Sequence, residues 1–344
     1  MGESRNIIVR LPNWIGDTVM STPFLHIARE VFPRDRITVA GRKRVTDLLL
    51  HFPGLDDIMV LDEGGGSSFF SEIKRVREGR YDLGFLLTNS FKSALAFYLG
   101  GVGQRVGYAL DARRLLLNRP MEATDKILQL PMVEYYTRLL SEFKEVPASE
   151  LRMALYPSEG ESAEANRLLR EAGWDGESRL VGINPFAHQW ITKRWLPERF
   201  AKVTDELIRQ YGVQCAFVSV ERDRPLFEEI RGMCSEPLLD LVGSVPLPVA
   251  PAVLEHYSLF VTNDSGLMHV AAAMGVAVVG IFGPTDFRRT APFTEKAVLI
   301  RKPQDHKPCM KPTCCRGFSC MMDISVDEVL EAASSYLSSG EDYA

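Results

Sequence analysis

The sequence predicts an α/β protein built from two doubly wound, Rossmann-like halves facing a central cleft. Three observations carry this. The chain has 344 residues, about right for two domains of roughly 100–200 residues each. Short apolar runs alternate with helix-like segments in two separate series. Between the series lies a stretch of breakers and polar residues, 145–161, with Pro147, Pro157 and Gly160, which reads as a linker. The expected division is 1–150 and 151–344.

In the first half the pattern runs through 7–11, a turn, 18–31, 37–40, 45–51, 58–61 and 83–87, the rhythm of a parallel sheet with crossover helices. Glu63-Gly64-Gly65-Gly66-Ser67-Ser68 reads as a loop, and a helix-like stretch at 130–143 closes the half. The second series comprises 180–184, 197–211, 215–220, 224–233, 250–257, 259–262, 267–274 and 276–282. A last helix at about 326–337 suits either half. Sheets of this kind bind ligands beyond the carboxyl ends of their strands, so the loops there are the places to search.

Hydrophobic residues make up 46 % of the chain and charged residues 25 %, the composition of a folded globular protein. The first apolar run, Ile7-Ile8-Val9, follows a polar start and is too short for a signal-peptide core or a membrane span. The expected location is therefore the cytoplasm, with contact at the inner face of its membrane left open. A net charge of −5 argues against a general nucleic-acid binder. Residues 1–150 carry 20 Lys and Arg against 19 Asp and Glu, and the remainder 20 against 26. Arg34, Arg36, Arg42, Lys43 and Arg44 cluster early, either a solvated face or a patch for an anionic acceptor.

Three turns after strands carry candidate chemistry. In Leu11-Pro12-Asn13-Trp14-Ile15-Gly16-Asp17-Thr18 a single Gly is not the G-x-G-x-x-G fingerprint, which weakens a dinucleotide reading. Asp17 there is either an N-cap or a general base. In Thr262-Asn263-Asp264-Ser265-Gly266-Leu267-Met268-His269 a strand turns directly into an Ala-rich helix. Asp264 or Ser265 caps it, and Gly266 lets an anion approach the free N–H groups. His269 shares the face of the first turn and is either structural or a ligand of the same anion. In the loop from Asn184 to Pro197, Lys193 and Arg194 with Trp190 and Trp195 suit a phosphate and a base or sugar, or else pin a surface loop. Pro197 suits the first turn of the next helix.

These segments resemble the heptosyltransferases of lipopolysaccharide core assembly, glycosyltransferase family 9, over nearly the whole chain. The motifs that carry the likeness are Pro12-Asn13-Trp14-Ile15-Gly16-Asp17, Asn89-Ser90-Phe91-Lys92-Ser93-Ala94, Lys193-Arg194-Trp195, Thr262 to His269, and Phe282-Gly283-Pro284-Thr285. Pro-Asn-Trp and Asn-Ser-Phe-Lys-Ser are similar to heptosyltransferase II. The resemblance implies a GT-B fold whose first half takes a lipid A-linked core acceptor and whose second half takes ADP-L-glycero-D-manno-heptose. It implies Asp17 as the base and Lys193 as the diphosphate ligand. Asp264, Ser265, Gly266 and His269 would line the donor site, with Glu221 on the ribose, residues 243–247 beside the adenine, and Asn13 and Lys92 on the acceptor. The loop departs from the family in carrying His188-Gln189-Trp190 where smaller residues are usual.

Of the six cysteines, Cys309, Cys314, Cys315 and Cys320 are bunched, but C-x4-C-C-x4-C lacks the paired C-x2-C knuckles of zinc modules. Packed thiols are the expected reading. With no D-x-D motif at a strand end either, transfer without a metal or cofactor is expected. The competing readings are a sugar-nucleotide epimerase, a two-lobed ligand-binding protein, a dehydrogenase, and a family transferase acting on another glycan or a protein.

Overall fold

The computed structural model describes residues 4–62, 64, 66–110, 112–187, 190–303, 308–314 and 317–338. The chain divides into two compact units, Met1–Tyr156 and Pro157–Ala344. The break falls inside the breaker-rich stretch, a few residues beyond the expected boundary. Ser158 and Glu161 form a capping box that starts the helix Glu159–Glu171, so the C-terminal part of the expected linker is helical.

The first unit has one six-stranded sheet of β1 (Asn6–Arg10), β2 (Arg36–Arg42), β3 (Asp57–Leu61), β4 (Leu83–Leu86), β5 (Gln104–Tyr108) and β6 (Arg119–Met121). Its order is β3-β2-β1-β4-β5-β6, and every pairing is parallel. Ile7, Ile8 and Val9 are fully buried, as expected of a strand covered on both faces. The second unit repeats this plan with β7 (Leu180–Asn184), β8 (Gln214–Ser219), β9 (Leu238–Val242), β10 (Tyr257–Asn263), β11 (Ala277–Ile281) and β12 (Ala297–Ile300). Its order is β12-β11-β10-β7-β8-β9, also wholly parallel. Each sheet therefore has one switch point, where the chain leaves in one direction and later returns on the other side: between β1 and β4, and between β7 and β10.

Several elements differ from expectation. The helix expected at 18–31 is two, Ile15–Met20 and Thr22–Val31, broken at Ser21. The loop expected at 63–68 is shorter, because the helix Gly66–Glu78 takes in Gly66, Ser67 and Ser68; flanking helical contacts outweigh their turn preference. Residues 45–51 form a helical turn and a 3-10 turn. The last helix, Val326–Leu337, packs in the second unit, where Val329, Ala333 and Leu337 join the core of β7, β8, β10 and β11.

Candidate active site

In the first unit the chain after β1 turns into the helix Ile15–Met20, whose N-cap is Trp14, without a side-chain cap. Asp17 is thus the third residue of the helix, and the capping alternative does not apply to it. Its Oδ1 accepts a hydrogen bond of 2.8 Å from the Tyr136 hydroxyl, which comes from the helix Met132–Thr137. Tyr136 packs edge-on to Tyr135, and Tyr135 stacks on Tyr108 with centroids 4.2 Å apart. Asn89, three residues after β4, donates to the Tyr135 hydroxyl (2.8 Å) and accepts from the wholly buried Arg113 (3.0 Å). The loops after β1 and β4 are therefore tied to one rigid aromatic layer.

Asn13 accepts from Arg10 Nη2 at 3.2 Å. Arg10 is itself buried, its Nε facing Glu72 Oε1 at 3.5 Å, beyond good hydrogen-bond length, so neither atom has a hydrogen-bond partner. Burial lowers the Arg10 pKa against the opposing pull of Glu72, and burial raises that of Glu72 against Arg10 and Lys92. Lys92, exposed on the helix Phe91–Leu99, has its ammonium 5.2 Å from the centre of the Phe69 ring. The Arg44 guanidinium lies 5.3 Å from the centre of the half-exposed Trp14 ring, a cation–π pair. Sequence reasoning named Asp17, Asn13 and Lys92; it missed Tyr136, Arg10 and Glu72.

In the second unit both switch-point loops converge. Ser265 is the N-cap of the helix Gly266–Ala273, its Oγ accepting from Met268 N, which settles the choice between Asp264 and Ser265. The buried Asn184, at the end of β7, donates through Nδ2 to Thr262 Oγ1 (2.8 Å) and Ser265 Oγ (2.7 Å). Lys193 ends a 3-10 turn, Ile191–Lys193, and its ammonium lies 2.9 Å from Asp264 Oδ2. The approach is that of an ion pair without hydrogen-bond alignment, leaving Asp264 Oδ2 without such a bond. His269 Nδ1 and Thr285 Oγ1 are likewise buried without a hydrogen-bond partner. Orphaned buried polar atoms are costly unless something completes them. Burial lowers the His269 pKa to about 4, with Asp264 opposing and Lys193 reinforcing the shift, so at neutral pH the ring is an uncharged donor or acceptor. Lys193 also lies 5.2 Å from the centre of the Trp190 ring. His188 and Gln189 lie outside the described residues.

Glu221 follows β8 on a 3-10 turn. Both its oxygens accept from Arg224 Nε at 3.1 Å, and Arg224 also pairs with Asp240 at 2.7 Å. Gly243, with φ +77°, sits beneath: a Cβ there would lie 2.1 Å from Glu221 Oε2. The carboxylate's place thus depends on glycine at 243. Glu221 is one strand removed from the Lys193 cluster, beside the 243–247 segment. Among the described residues no group of three or more His, Cys, Asp or Glu side chains is arranged to hold a metal ion; Cys315 lies outside them.

Two doubly wound units of the same strand order, with an anion-ready helix start in the second, are the architecture of the GT-B fold. The chain belongs to glycosyltransferase family 9 (heptosyltransferase), whose model matches residues 69–318. It is 30 % identical to lipopolysaccharide heptosyltransferase 2 of Salmonella typhimurium over 96 % of this chain and 98 % of that protein. The solved structure of Escherichia coli ADP-heptose lipopolysaccharide heptosyltransferase II superposes with a TM-score of 0.81 at 27 % identity, covering 96 % of this chain and 98 % of that one. A family 9 glycosyltransferase from Veillonella parvula shares the fold with a TM-score of 0.85 at 22 % identity, over 97 % of each chain. The epimerase, dehydrogenase and binding-protein readings are not favoured by these relatives.

Proposed function

We propose that the protein transfers heptose from ADP-L-glycero-D-manno-heptose to the heptosyl-Kdo-lipid A inner core in lipopolysaccharide biosynthesis, with inversion and without a metal. The observation that carries the donor half is the Lys193–Asp264 pair beside the Ser265-capped helix start, with Asp264 Oδ2 and His269 Nδ1 lacking hydrogen bonds. A cation and free backbone N–H groups together suit a diphosphate. The relatives' names supply the sugar and the acceptor class.

In this reading Asp17 takes the proton of an acceptor hydroxyl as its oxygen bonds to the anomeric carbon. The bond from that carbon to the phosphate oxygen breaks, and ADP leaves with the electron pair. Lys193 and the N–H groups at Gly266 and Leu267 balance the charge developing on the leaving diphosphate. Glu221 holds the donor ribose, and Asn13 and Lys92 hold the acceptor. No helix among the described residues is long and apolar enough to cross a membrane. A lipid-borne acceptor would be met at the inner membrane surface by peripheral contact, with the exposed Trp14 and Lys92, and the partly buried Arg44 beside Trp14, as aromatic and cationic groups suited to it.

The test is ADP release from ADP-heptose with and without heptosyl-Kdo-lipid A, followed by mass analysis of the lipid. Acceptor-dependent ADP release with a gain of one heptose is the expected result. Donor binding without modification of that lipid would move the proposal to another acceptor. Absence of donor binding would overturn it.

A further inference from the structure

We infer that Asn263 is the positioning residue that sets Lys193. The inference rests on the reading of Lys193 as the diphosphate ligand. Asn263 is the last residue of β10 and is wholly buried. Its side chain makes two hydrogen bonds, both to the loop that leaves the neighbouring strand β7. Nδ2 donates to the Pro185 carbonyl at 2.8 Å, and Oδ1 accepts from the Trp195 backbone N–H at 3.1 Å. These two contacts grip the loop at its first and last turns, ten residues apart in sequence, and close it upon a single side chain. Lys193 stands two residues before the second grip.

The grip has no redundancy within Asn263, because the amide spends its carbonyl at one end and donates from its nitrogen at the other. Both loop groups are backbone groups in a buried setting, where a lost partner is expensive. The adjoining residue, Asp264, receives the Lys193 ammonium at 2.9 Å. Consecutive residues of one strand end therefore do two jobs: the first fixes the loop, the second receives the cation that the loop carries. Trp195 completes the anchor, its ring buried against Phe200 and its Nε1 donating to the Ile324 carbonyl at 3.1 Å. Without the Asn263 bonds the loop keeps the Trp195 anchor, the buried Phe186 and the Thr192 hydroxyl donating to the Lys311 carbonyl at 2.8 Å. It loses the one side chain that ties its first turn to its last, and the ammonium is less closely confined beside the helix start at Gly266.

The experiment is a double-mutant cycle on the full chain, read as ADP affinity by calorimetry, together with kcat and KM for donor. Asn263→Ala removes both bonds, and the isosteric Asn263→Asp keeps the acceptor for Trp195 N–H while placing an oxygen against the Pro185 carbonyl. Each variant is checked for its native circular dichroism spectrum. In the wild-type background either change is expected to weaken ADP binding by about tenfold, the scale of one misplaced charge-assisted contact. In a Lys193→Ala background the same change should cost less than about twofold, since its effect passes through Lys193. An equal loss in both backgrounds would mean that Asn263 acts on general stability and would overturn the inference alone. If Lys193→Ala by itself leaves ADP affinity unchanged, the Lys193 reading fails and the inference with it. Hydrogen exchange of the wild-type Trp195 amide supplies a check free of any variant: strong protection is expected, and exchange at the rate of an open loop would refute the clamp.

Discussion

The Tyr136 hydroxyl donates to Asp17 Oδ1 at 2.8 Å across 119 positions of sequence. The carboxylate proposed as the base is thus held by a helix that no local motif associates with it. Tyr136 is almost wholly buried, its ring fixed by the Tyr135–Tyr108 stack. A side chain locked in this way restricts Asp17 to a narrow range of rotamers, the kind of support from which positioned acid–base groups gain their efficiency. Asp17→Asn should reduce kcat by about 10²–10⁴-fold with ADP affinity unchanged. Tyr136→Phe should reduce kcat by a smaller factor, again without loss of ADP affinity. Steady-state kinetics with calorimetry checks both, and a Tyr136→Phe enzyme with wild-type kcat would remove the hydroxyl from the mechanism.

Lys193 compensates Asp264, whose carboxylate is nearly buried. Lys193→Met should therefore act twice. It should weaken ADP binding by about tenfold or more through loss of the cation, and it should destabilise the second unit by leaving a carboxylate uncompensated. Adding Asp264→Asn should recover part of the stability and none of the missing cation. Calorimetric titration and thermal unfolding separate the two effects; a Lys193→Met protein with native ADP affinity would refute the assignment.

His269 supplies a pH dependence whose sign follows from its burial. Its folded pKa is about 4, below the usual 6.5, because burial disfavours the charged ring. Between these values the unfolded chain binds the extra proton and the folded one does not, so the contribution to stability is lost progressively as pH falls from about 6.5 toward 4. Its full extent is roughly 3 kcal/mol. His269→Gln should flatten this part of the profile. Urea unfolding across the interval tests it, and an unchanged slope in the variant would assign the effect elsewhere.

Arg10 and Glu72 form a buried pair beside Asn13. Breaking such a pair from one side costs about 3–5 kcal/mol, whereas replacing both members by apolar groups is often neutral. Arg10→Met should therefore destabilise the first unit by several kcal/mol, and Arg10→Met with Glu72→Leu should recover most of it. If the double variant is as unstable as the single, burial of Glu72 is not the source of the loss. Acceptor KM should rise in both, because Asn13 loses its Arg10 bond in each.

In the proposed mechanism, charge compensation by Lys193 and a helix start leaves no step that calls for a divalent ion. Turnover should be unchanged in excess chelator. Loss of activity restored by magnesium or manganese would refute metal-independent transfer.

The double series of strands was legible because parallel strands buried on both faces read as unbroken apolar runs, as Ile7-Ile8-Val9 and Leu180-Val181-Gly182-Ile183 do. β5, β6, β9 and β12 escaped: β5, β6 and β9 are interrupted by polar residues, glycine or proline, and the four-residue apolar run of β12 was not read as a strand. The helix at Gly66–Glu78 was obscured by its own start, where glycines and serines speak for a loop and only packing decides otherwise. Asp17, Lys193, Asp264, Ser265 and His269 could be proposed from the sequence because each sits in a motif on the loop or helix start that follows a strand. Asn263 stood in the same motif, but its task appears only when Pro185 and Trp195 are seen to meet it.

The sequence by itself determined the periodicities, the turns and the residue types at the strand ends, because these depend on neighbours a few positions apart. Strand order, and with it the two switch points, was decided by the tertiary structure. So were the Tyr136 contact with Asp17, the meeting of Lys193 with Asp264, and the burial that leaves His269 uncharged. All of these depend on groups 70 to 120 residues apart, brought together when each sheet closes over its core. Their energies come from desolvation and direct contact, which no local pattern encodes.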